Sequence, residues 1–343
     1  LVTAVQRLSD RSGLYPTCFN IDSVELVSET PVAHGGFGDI FQGVFNGQSV
    51  CLKTIRLYQH SQVEYFMKRL SKEAIIWGQL THPNLLPFYG TYRFRSRACL
   101  VSPWLEYGDI TNYLKSHPNA NRMLLAKDVS EGVLYLHTID IIHGDLKGAN
   151  ILVTDNGRAC LADFGLSSVT DAQILNWTSH SSVGSKGGTV RWQAPELFDF
   201  DGDTLVHNTK ASDIYSLSCV FYELFTGSVP FYNLFRAPAV MYRVQSGGQP
   251  ARPADSHIVW QSWGLTAEVW SLMESCWNRI PDARPSIDDI ASQLSQTIVE
   301  DNRPTEPDGS QFATRFHTSV GGYTGPFDCN ELEALIAGGG PVD

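Results

Sequence analysis

The segment from His143 to Asn150 carries the residues best suited to chemistry. It reads HGDLKGAN and is followed by the apolar run ILV, so its polar side chains are expected in a short loop beside a buried strand. Asp145 could accept a proton from a hydroxyl, and Lys147 could neutralise a phosphoryl group in transfer. Asn150 and Asp163 offer hard oxygen ligands of the kind that Mg²⁺ prefers. Isolated loop carboxylates are mostly solvated, but the order and spacing of these four residues favour a functional site.

A glycine-rich turn nearer the N-terminus is suited to binding phosphate. Gly35, Gly36 and Gly38 lie in AHGGFGDI, between two β-rich runs. Without Cβ atoms, such a turn lets backbone amides approach a phosphate closely. Glycine-rich hairpin tips are also common for turn geometry alone, so this feature is weak by itself.

Two charged residues are predicted to point into the interior. Lys53 ends the apolar run VCLK, and Glu73 lies three residues after Leu70 and four before Trp77, on the apolar face of a helical pattern. An unpaired charge there would be strongly disfavoured, so we expect the two to pair. A purely structural ion pair is the alternative. The glycine-rich turn beside Lys53 instead favours a position close to nucleotide phosphates.

The elements around the first two groups are predominantly β. Asn46-Gly47 separates two β-rich runs between Val24 and Ile55, which predicts a hairpin with a type I′ turn. Apolar residues at spacings of three and four predict an amphipathic helix over 62–80. The apolar runs 85–92 and 98–101 predict a second antiparallel pair. We therefore expect a small lobe of five strands and one helix.

Beyond Trp104 the patterns are mainly helical. Asp109 can cap a short helix that ends near Ser116, and Ser286 can cap a last helix through Ile290, Leu294 and Ile298. The other helical stretches are centred on 124–136, 211–226 and 266–277. The predicted division is a lead-in at 1–22, a small lobe at 23–102, a larger lobe at 103–302 and a Gly-, Pro- and Asp-rich tail at 303–343 that we expect to be disordered.

Composition limits the classes of function. With 343 residues, 43% of them hydrophobic, the chain can bury one or two sizeable cores. A formal charge of -11 gives no support to a basic face for nucleic acid or anionic lipid. No apolar run is long enough to span a bilayer. The chain begins at Leu1 rather than methionine, so an upstream targeting segment stays possible.

The seven cysteines are scattered singly, without a CxxC pair, mostly inside apolar runs. This pattern predicts reduced thiols that act as small core residues, and favours an intracellular, cytoplasmic location over a disulfide framework or a metal site.

These motifs, in this order, resemble those of the protein kinases from roughly Val24 to Ile298. The quoted matches are the glycine-rich turn, VCLK, HGDLKGAN, DFG at 163–165 and APE at 194–196. The resemblance implies an α+β, bilobal protein-kinase-like fold, with a small five-stranded antiparallel lobe carrying one helix and a larger, mainly helical lobe. It also implies ATP in the cleft and Mg²⁺ as its companion ion.

The resemblance implies a role for each matched residue. Lys53, paired with Glu73, would contact the α- and β-phosphates; Asp145 would act as the catalytic base and Lys147 would lie near the γ-phosphate, with Asn150 and Asp163 on Mg²⁺. The nucleotide site would be completed by Val32, Ala33, Gly35, Gly36, Gly38, Ile40, Cys51, Ser102 as gatekeeper, Pro103 and Leu105 in the hinge, and Leu152 under the adenine. Asp213 and the pair Arg284–Glu196 match structural ions of the family.

The substrate class implied is protein serine/threonine hydroxyls. Lys147, two residues after Asp145, and Thr189, which can bond to the base and the lysine, resemble the serine/threonine kinases. LVSPWLEYGDI and RWQAPE look more like tyrosine kinases, and the combination is similar to the tyrosine-kinase-like serine/threonine branch. A tyrosine or dual-specificity kinase is therefore one alternative, and the oligomeric state is open.

Two departures from the family pattern suggest a second alternative. The first glycine of the glycine-rich motif is Ala33, and Gly144 stands where most of these enzymes carry the arginine that receives an activation-loop phosphate. We therefore expect phosphorylation of the activation loop to be uncoupled, in its usual form, from the segment His143–Asn150, which matches the catalytic loop of the family. Together with the acidic charge, these changes leave open a nucleotide-binding pseudokinase that acts as a scaffold.

Overall fold

The computed structural model describes residues 19–34, 38–54, 74, 77–78, 80–94, 97–163, 189–198 and 207–304. These residues fall into two compact units. The first holds the described residues up to Thr81 together with Leu86–Trp104, and the second holds His82–Leu85 and those from Leu105 onward. The expectations for Gly35, Gly36, Glu73, most of the 62–80 helix, Phe164-Gly165 and the serines and threonines at 167–185 lie outside the described residues.

The first unit is built on one antiparallel sheet. Its strands are β1 (Glu25–Leu26), β2 (Ala33–His34), β3 (Asp39–Phe45), β4 (Gln48–Thr54), β5 (Gly90–Phe94) and β6 (Arg97–Pro103), in the order β1-β3-β4-β6-β5. β2 pairs with β3 as well, with Ala33 opposite Ile40, while β1 places Glu25 opposite Val44. The predicted five-stranded sheet is therefore present, with its first strand interrupted.

The predicted β3–β4 hairpin is confirmed. Phe45 pairs with Gln48, and the two residues between them, Asn46 and Gly47, have φ values of 50° and 76°. Positive φ at both central positions is the requirement of a type I′ turn, which matches the right-handed twist of the flanking strands.

The predicted strand over 85–92 is wrong at its start. The observed strand begins at Gly90, and Leu85 instead forms an isolated parallel bridge with Leu161. The carbonyl of Leu86 accepts a 2.7 Å hydrogen bond from the Trp77 indole. Leu85, Leu86 and Phe88 are all buried, so these residues are apolar because they are buried and not because they belong to a strand. A short apolar run in a sequence does not distinguish the two cases.

The strand register places the apolar core of the first unit and the predicted nucleotide-site residue Lys53 on opposite faces of the sheet. Phe41 lies opposite Leu52, which lies opposite Val101, and all three belong to one buried apolar cluster. Their neighbours Ile40 and Lys53 pair on the alternate positions and so face the other side of the sheet. The lysine is thus presented away from the apolar cluster.

The second unit is mainly helical, as predicted. Its helices are α1 (Ile110–Ser116), α2 (Arg122–Thr138), α3 (Lys210–Thr226), α4 (Ala237–Gln245), α5 (Ile258–Ser262), α6 (Ala267–Cys276) and α7 (Ile287–Gln296), and a small hairpin joins β7 (Ile151–Val153) to β8 (Ala159–Leu161). Asp109 and Ser286 cap α1 and α7, as predicted. The predicted extension of α7 to Ile298 is wrong: the helix ends at Gln296, and Ile298 is 97% exposed.

Helix α3 forms the centre of this unit. Every residue from Ser212 to Phe225 is buried, and the helix begins at a capping box made by Thr209 and Ser212. Two of the buried residues, Asp213 and Glu223, are acidic, and burial of a carboxylate requires hydrogen-bond donors around it.

Four of the cysteines in the described parts of the chain, Cys99, Cys160, Cys219 and Cys276, are buried thiols, and Cys51 is a half-buried thiol. This confirms the prediction of core thiols for these positions. Cys18 and Cys329 lie outside the described residues.

Within the part of the chain that the structure describes, no helix has both the length and the apolar character to cross a bilayer.

The chain after α7 is tied to the helical unit by a partly buried ion pair. The Arg303 guanidinium donates to both carboxylate oxygens of Asp128 on α2, at 2.6 and 3.1 Å, and to the carbonyl of Gly157 at 3.0 Å. Asp128 also accepts from the Ala159 amide at 2.9 Å. Burial raises the pKa of Asp128, whereas Arg303 lowers it. The arginine is therefore the main group that opposes the effect of burial on this carboxylate.

We expect Arg303→Gln to destabilise the protein by about 2 kcal/mol, because it leaves a buried carboxylate without its charge partner. Urea unfolding of the full chain measures this. Lys210→Gln is the matched control, since Lys210 pairs with the exposed Asp140. Equal unfolding midpoints for the two variants would contradict the prediction.

Candidate active site

Asp145 is held by the two residues predicted to act with it. Lys147 Nζ donates to Asp145 Oδ2 at 2.6 Å, and Asn150 Nδ2 donates to the same oxygen at 2.9 Å and to the Asp145 carbonyl at 2.8 Å. The carboxylate is 18% exposed. A cation and an amide thus orient a partly accessible acid, as a proton acceptor requires.

His143 fixes the backbone on the N-terminal side of Asp145. Its Nδ1 accepts from the Asp145 amide at 3.3 Å, so Nε2 carries the proton and donates to the Ala162 carbonyl at 3.1 Å. Complete burial lowers the pKa of His143, which keeps the ring neutral in this tautomer. The imidazole therefore links the catalytic loop to the residue just before Asp163.

Asp213 on α3 binds the backbone at the start of the same loop, at residues 143 and 144. Its carboxylate accepts from the amides of His143 and Gly144, both at 2.8 Å, and lies 2.9 Å from His137 Nε2. Gly144 has a φ of 73°, a conformation that costs other L-residues about 1 kcal/mol. Glycine at position 144, where the family pattern has arginine, therefore suits the backbone conformation in which the amide donates to Asp213.

The two candidate metal ligands are brought together by backbone pairing. Asn150 ends a 3₁₀ turn, and its carbonyl accepts from the Ala162 amide at 2.9 Å, one residue before Asp163. Asp163 follows β8 with a φ of 60°. Because both side-chain hydrogen bonds described for Asn150 use its nitrogen, its oxygen is the atom suited to a cation.

A second segment meets the catalytic loop at Lys147. Thr189 begins the 3₁₀ turn Thr189–Trp192, and its hydroxyl lies 3.4 Å from Lys147 Nζ. The indole of Trp192, at the end of this turn, donates to the buried Glu223 carboxylate at 2.7 Å. The lysine contact predicted for Thr189 is therefore present.

In the first unit, strand pairing clusters several of the predicted nucleotide-site residues. Ile40 lies between Ala33 and Lys53, and Cys51 lies opposite Ser102. Directly opposed residues share a face of the sheet, so all five face the side opposite the apolar cluster. Lys53 is half-buried, Ser102 is 4% exposed, and Gly38 is buried just before β3.

The other predicted nucleotide-site residues lie at element ends. Val32, 50% exposed, precedes β2, and Pro103 is the last residue of β6. In the second unit, Leu105 is half-buried in a turn that Gly108 closes, and Leu152 lies on β7 opposite Cys160.

The predicted structural ion pair Arg284–Glu196 is confirmed. Two parallel 2.7 Å hydrogen bonds join the guanidinium to both oxygens of Glu196, and a third bond of 2.8 Å reaches the Ala211 carbonyl. Such a bidentate pair fixes the 3₁₀ turn Pro195–Phe198 against the start of α3.

Three contributors to this site were not assigned from sequence: His143, Glu223 and Trp192. The signal available for Glu223 was a single acid within a run of apolar residues in α3, which demands a donor partner. Its partners are 75 and 31 residues away along the chain, so the pattern could not identify them.

We expect Asp213→Asn to cost about 2 kcal/mol of stability and to lower any activity that depends on Asp145. The amide keeps one acceptor oxygen but loses the charge-assisted bonds to two backbone amides. Chemical denaturation measures the stability, and Asp282→Asn, at an exposed position, is the control. A loss no larger than that of the control would show that the carboxylate is not what holds residues 143 and 144.

Comparison with known proteins gives a consistent family. A family profile described as protein tyrosine and serine/threonine kinase matches residues 26–294. The chain is 30% identical over 303 residues to serine/threonine-protein kinase STY17 of Arabidopsis thaliana, covering 86% of this chain and 49% of that protein. It is 29% identical to cell division control protein 7 of Schizosaccharomyces pombe, over 77% of this chain and 23% of that protein.

A third relative, cytokinesis protein sepH of Aspergillus niger, is 32% identical over 74% of this chain and 17% of its own length. The chain thus spans about half or less of the length of these curated relatives. The profile match covers most of the chain, includes Asp145, Lys147, Asn150 and Asp163, and shows that this chain belongs to the protein tyrosine and serine/threonine kinase family.

Proposed function

We propose that this chain is a protein kinase that transfers the γ-phosphoryl group of Mg-ATP to serine and threonine hydroxyls of proteins. The observation that carries the proposal is the Asp145 carboxylate, bonded by Lys147 at 2.6 Å and by Asn150 at 2.9 Å. Family membership and the names of the relatives, such as serine/threonine-protein kinase STY17, support the same activity.

Asp145 is the group that accepts the proton of the attacking hydroxyl. Lys147 and Asn150 both donate to Oδ2, which leaves the other oxygen, Oδ1, to accept the proton of the substrate hydroxyl. Residual exposure of 18% leaves room for a hydroxyl to reach it.

Lys147 has a second role at the phosphoryl group. Its ammonium is shared between Asp145 and the Thr189 hydroxyl, at 2.6 and 3.4 Å. Because its contact with Thr189 is long, the Lys147 ammonium can move with the phosphoryl group and stabilise the negative charge on it during transfer. Electrostatic stabilisation of that charge is the main requirement of phosphoryl transfer.

The donor set at Asn150 and Asp163 fits Mg²⁺. One amide oxygen and one carboxylate are hard ligands, and Mg²⁺ needs few protein groups because it keeps several waters and binds phosphates directly. When bound, the ion would neutralise charge that develops on the phosphates. The Asn150–Ala162 backbone bond keeps these two ligands on adjoining chain segments.

Lys53 and its neighbours serve the nucleotide in the same proposal. Lys53 lies on the sheet face opposite the apolar cluster, beside Ile40, with Cys51 two residues before it on the same face. That arrangement presents one cation among small and apolar side chains, as a phosphate group and an adenine ring would each require.

We expect Asp145→Asn to lower phosphoryl transfer by at least about 100-fold, because an amide cannot accept the hydroxyl proton. Transfer from radiolabelled ATP with Mg²⁺ to a peptide array that contains serine, threonine or tyrosine acceptors measures both rate and hydroxyl preference. Asp155→Asn, at an exposed turn position, is the matched control and should behave as wild type.

Two outcomes would contradict the proposal. If wild type and Asp145→Asn transfer equally little phosphate while ATP still raises the melting temperature, the chain binds nucleotide without catalysis and acts as a scaffold. Labelling confined to tyrosine acceptors would refute the serine/threonine assignment.

A further inference from the structure

A buried carboxylate outside the catalytic set reaches the catalytic loop from α3. Glu223 is 5% exposed, and its Oε2 accepts two hydrogen bonds: one from the Gly148 amide at 2.8 Å and one from the Trp192 indole at 2.7 Å. Gly148 follows Lys147 directly, and Trp192 ends the turn that begins with Thr189. One carboxylate oxygen therefore joins the two segments that meet at Lys147.

The packing around Gly148 is matched to this carboxylate. A Cβ at position 148 would lie 3.0 Å from both oxygens of Glu223 and 2.7 Å from the methyl group of Thr111. Both distances are shorter than ordinary contacts, so a larger residue would displace the acid or the loop. Glycine at 148 lets the backbone come close enough to donate to Glu223.

The Thr189–Trp192 turn has further anchors that leave Glu223 a distinct role. The Trp192 carbonyl accepts from Ser216 Oγ at 2.7 Å, and the Arg191 guanidinium donates to the carbonyls of Phe231 and Leu234 at 2.6 and 2.5 Å. Those bonds tie the turn to the helical unit. Glu223 instead bonds the turn through Trp192 and the catalytic loop through Gly148.

This carboxylate is retained at a cost to folding. Burial raises the pKa of Glu223 from 4.5 to about 7, although the bonds from Trp192 and Gly148 lower it. Asp109 also raises this pKa and Lys147 lowers it, and Cys219 faces the same carboxylate as a buried, neutral thiol. The folded protein binds more protons than the unfolded chain between pH 4.5 and about 7, so this group lowers stability as the pH rises through that range. A charge kept against stability suggests a role in activity.

We propose that Glu223 is a positioning residue for phosphoryl transfer: its ionised carboxylate holds the loop at Gly148 and the turn at Trp192 in register, and so sets where Lys147 and Thr189 lie. This inference rests on the proposed kinase activity and adds a regulatory property to it. Protonation of Glu223 removes the charge from both hydrogen bonds and weakens them, so transfer falls as the pH falls through neutrality.

The activity test compares the wild-type chain with Glu223→Gln, which keeps an acceptor oxygen and the side-chain volume but cannot titrate. Steady-state kinetics are measured from pH 6 to pH 8, and Glu131→Gln, an exposed acid on α2, is the control. We expect kcat of wild type, divided by kcat of Glu223→Gln, to fall about threefold to tenfold from pH 8 to pH 6, with a midpoint near 7 and KM for ATP unchanged. Titration of the substrates is common to both proteins and cancels in this ratio.

A second pair of variants tests the contact at Gly148. Gly148→Ala should lower kcat, since the added methyl group displaces Glu223. Combining it with Thr111→Ser removes the methyl of Thr111 and leaves the clash with Glu223. If the double variant regains wild-type kcat, the clash with Thr111 explains the loss and the positioning role is contradicted.

A measurement that does not use activity tests the link itself. The indole N–H of Trp192 is followed by ¹H–¹⁵N NMR as a function of pH and assigned with Trp192→Phe. We expect its resonance to shift with a midpoint near pH 7 in wild type and to show no such shift in Glu223→Gln. A Trp192 resonance that is independent of pH in wild type would overturn the inference, even if the chain is an active kinase.

The remaining outcomes separate the two proposals. If the Trp192 resonance titrates and the enzyme is active, but the pH profiles of wild type and Glu223→Gln superimpose, Glu223 links the segments without positioning the reaction, and the inference is wrong. If wild type and Asp145→Asn are both inactive, the proposed function fails and the positioning role of Glu223 fails with it, while the NMR titration still reports the link.

Discussion

The second unit depends on one constraint: the buried part of α3 carries two acidic side chains, and each must find hydrogen-bond donors in the interior. On α3, Asp213 takes the amides of His143 and Gly144, and Glu223, ten residues later, takes the amide of Gly148. These three donors are backbone amides of the catalytic loop, and the side chains of His137 and Trp192 complete the partners of Asp213 and Glu223. Because each buried carboxylate needs donors, these bonds fix the loop that carries Asp145 and Lys147 at residues 143, 144 and 148.

Backbone donors suit this task better than side chains would. An amide has no rotamers, so a carboxylate that captures it fixes the main chain directly, and the side chains of the loop stay available for chemistry. Lys147 and Asn150 use that freedom to bond Asp145, while the Asn150 carbonyl connects to Ala162 beside Asp163. Positioning and chemistry are thus divided between the main chain and the side chains of the same eight residues.

The first unit solves a similar problem with strand parity. Alternation along β3, β4 and β6 sends Phe41, Leu52 and Val101 into one apolar cluster, and Ile40 and Lys53 to the other face. A shift of one residue in register would exchange the two faces. The Asn46-Gly47 turn, with positive φ at both residues, sets that register. A local turn therefore determines which face of the sheet presents the lysine.

Local patterns in the sequence were enough to predict the hairpin, five of the seven helices described in the second unit, the caps Asp109 and Ser286, the core cysteines and the grouping of Lys147 and Asn150 with Asp145. Turn geometry, periodicity and short spacing act over a few residues, which is why a local pattern is sufficient for them. Helices α4 and α5 were not predicted. Local patterns were insufficient for the start of β5 and the end of α7, where apolar residues are buried or exposed without regular pairing. Only the tertiary structure decided that Glu223 bonds Gly148 and Trp192 and that Arg303 pairs with Asp128. A charged residue within an apolar run indicates that a buried charge needs a partner. The identity of that distant partner depends on how the helices and strands pack.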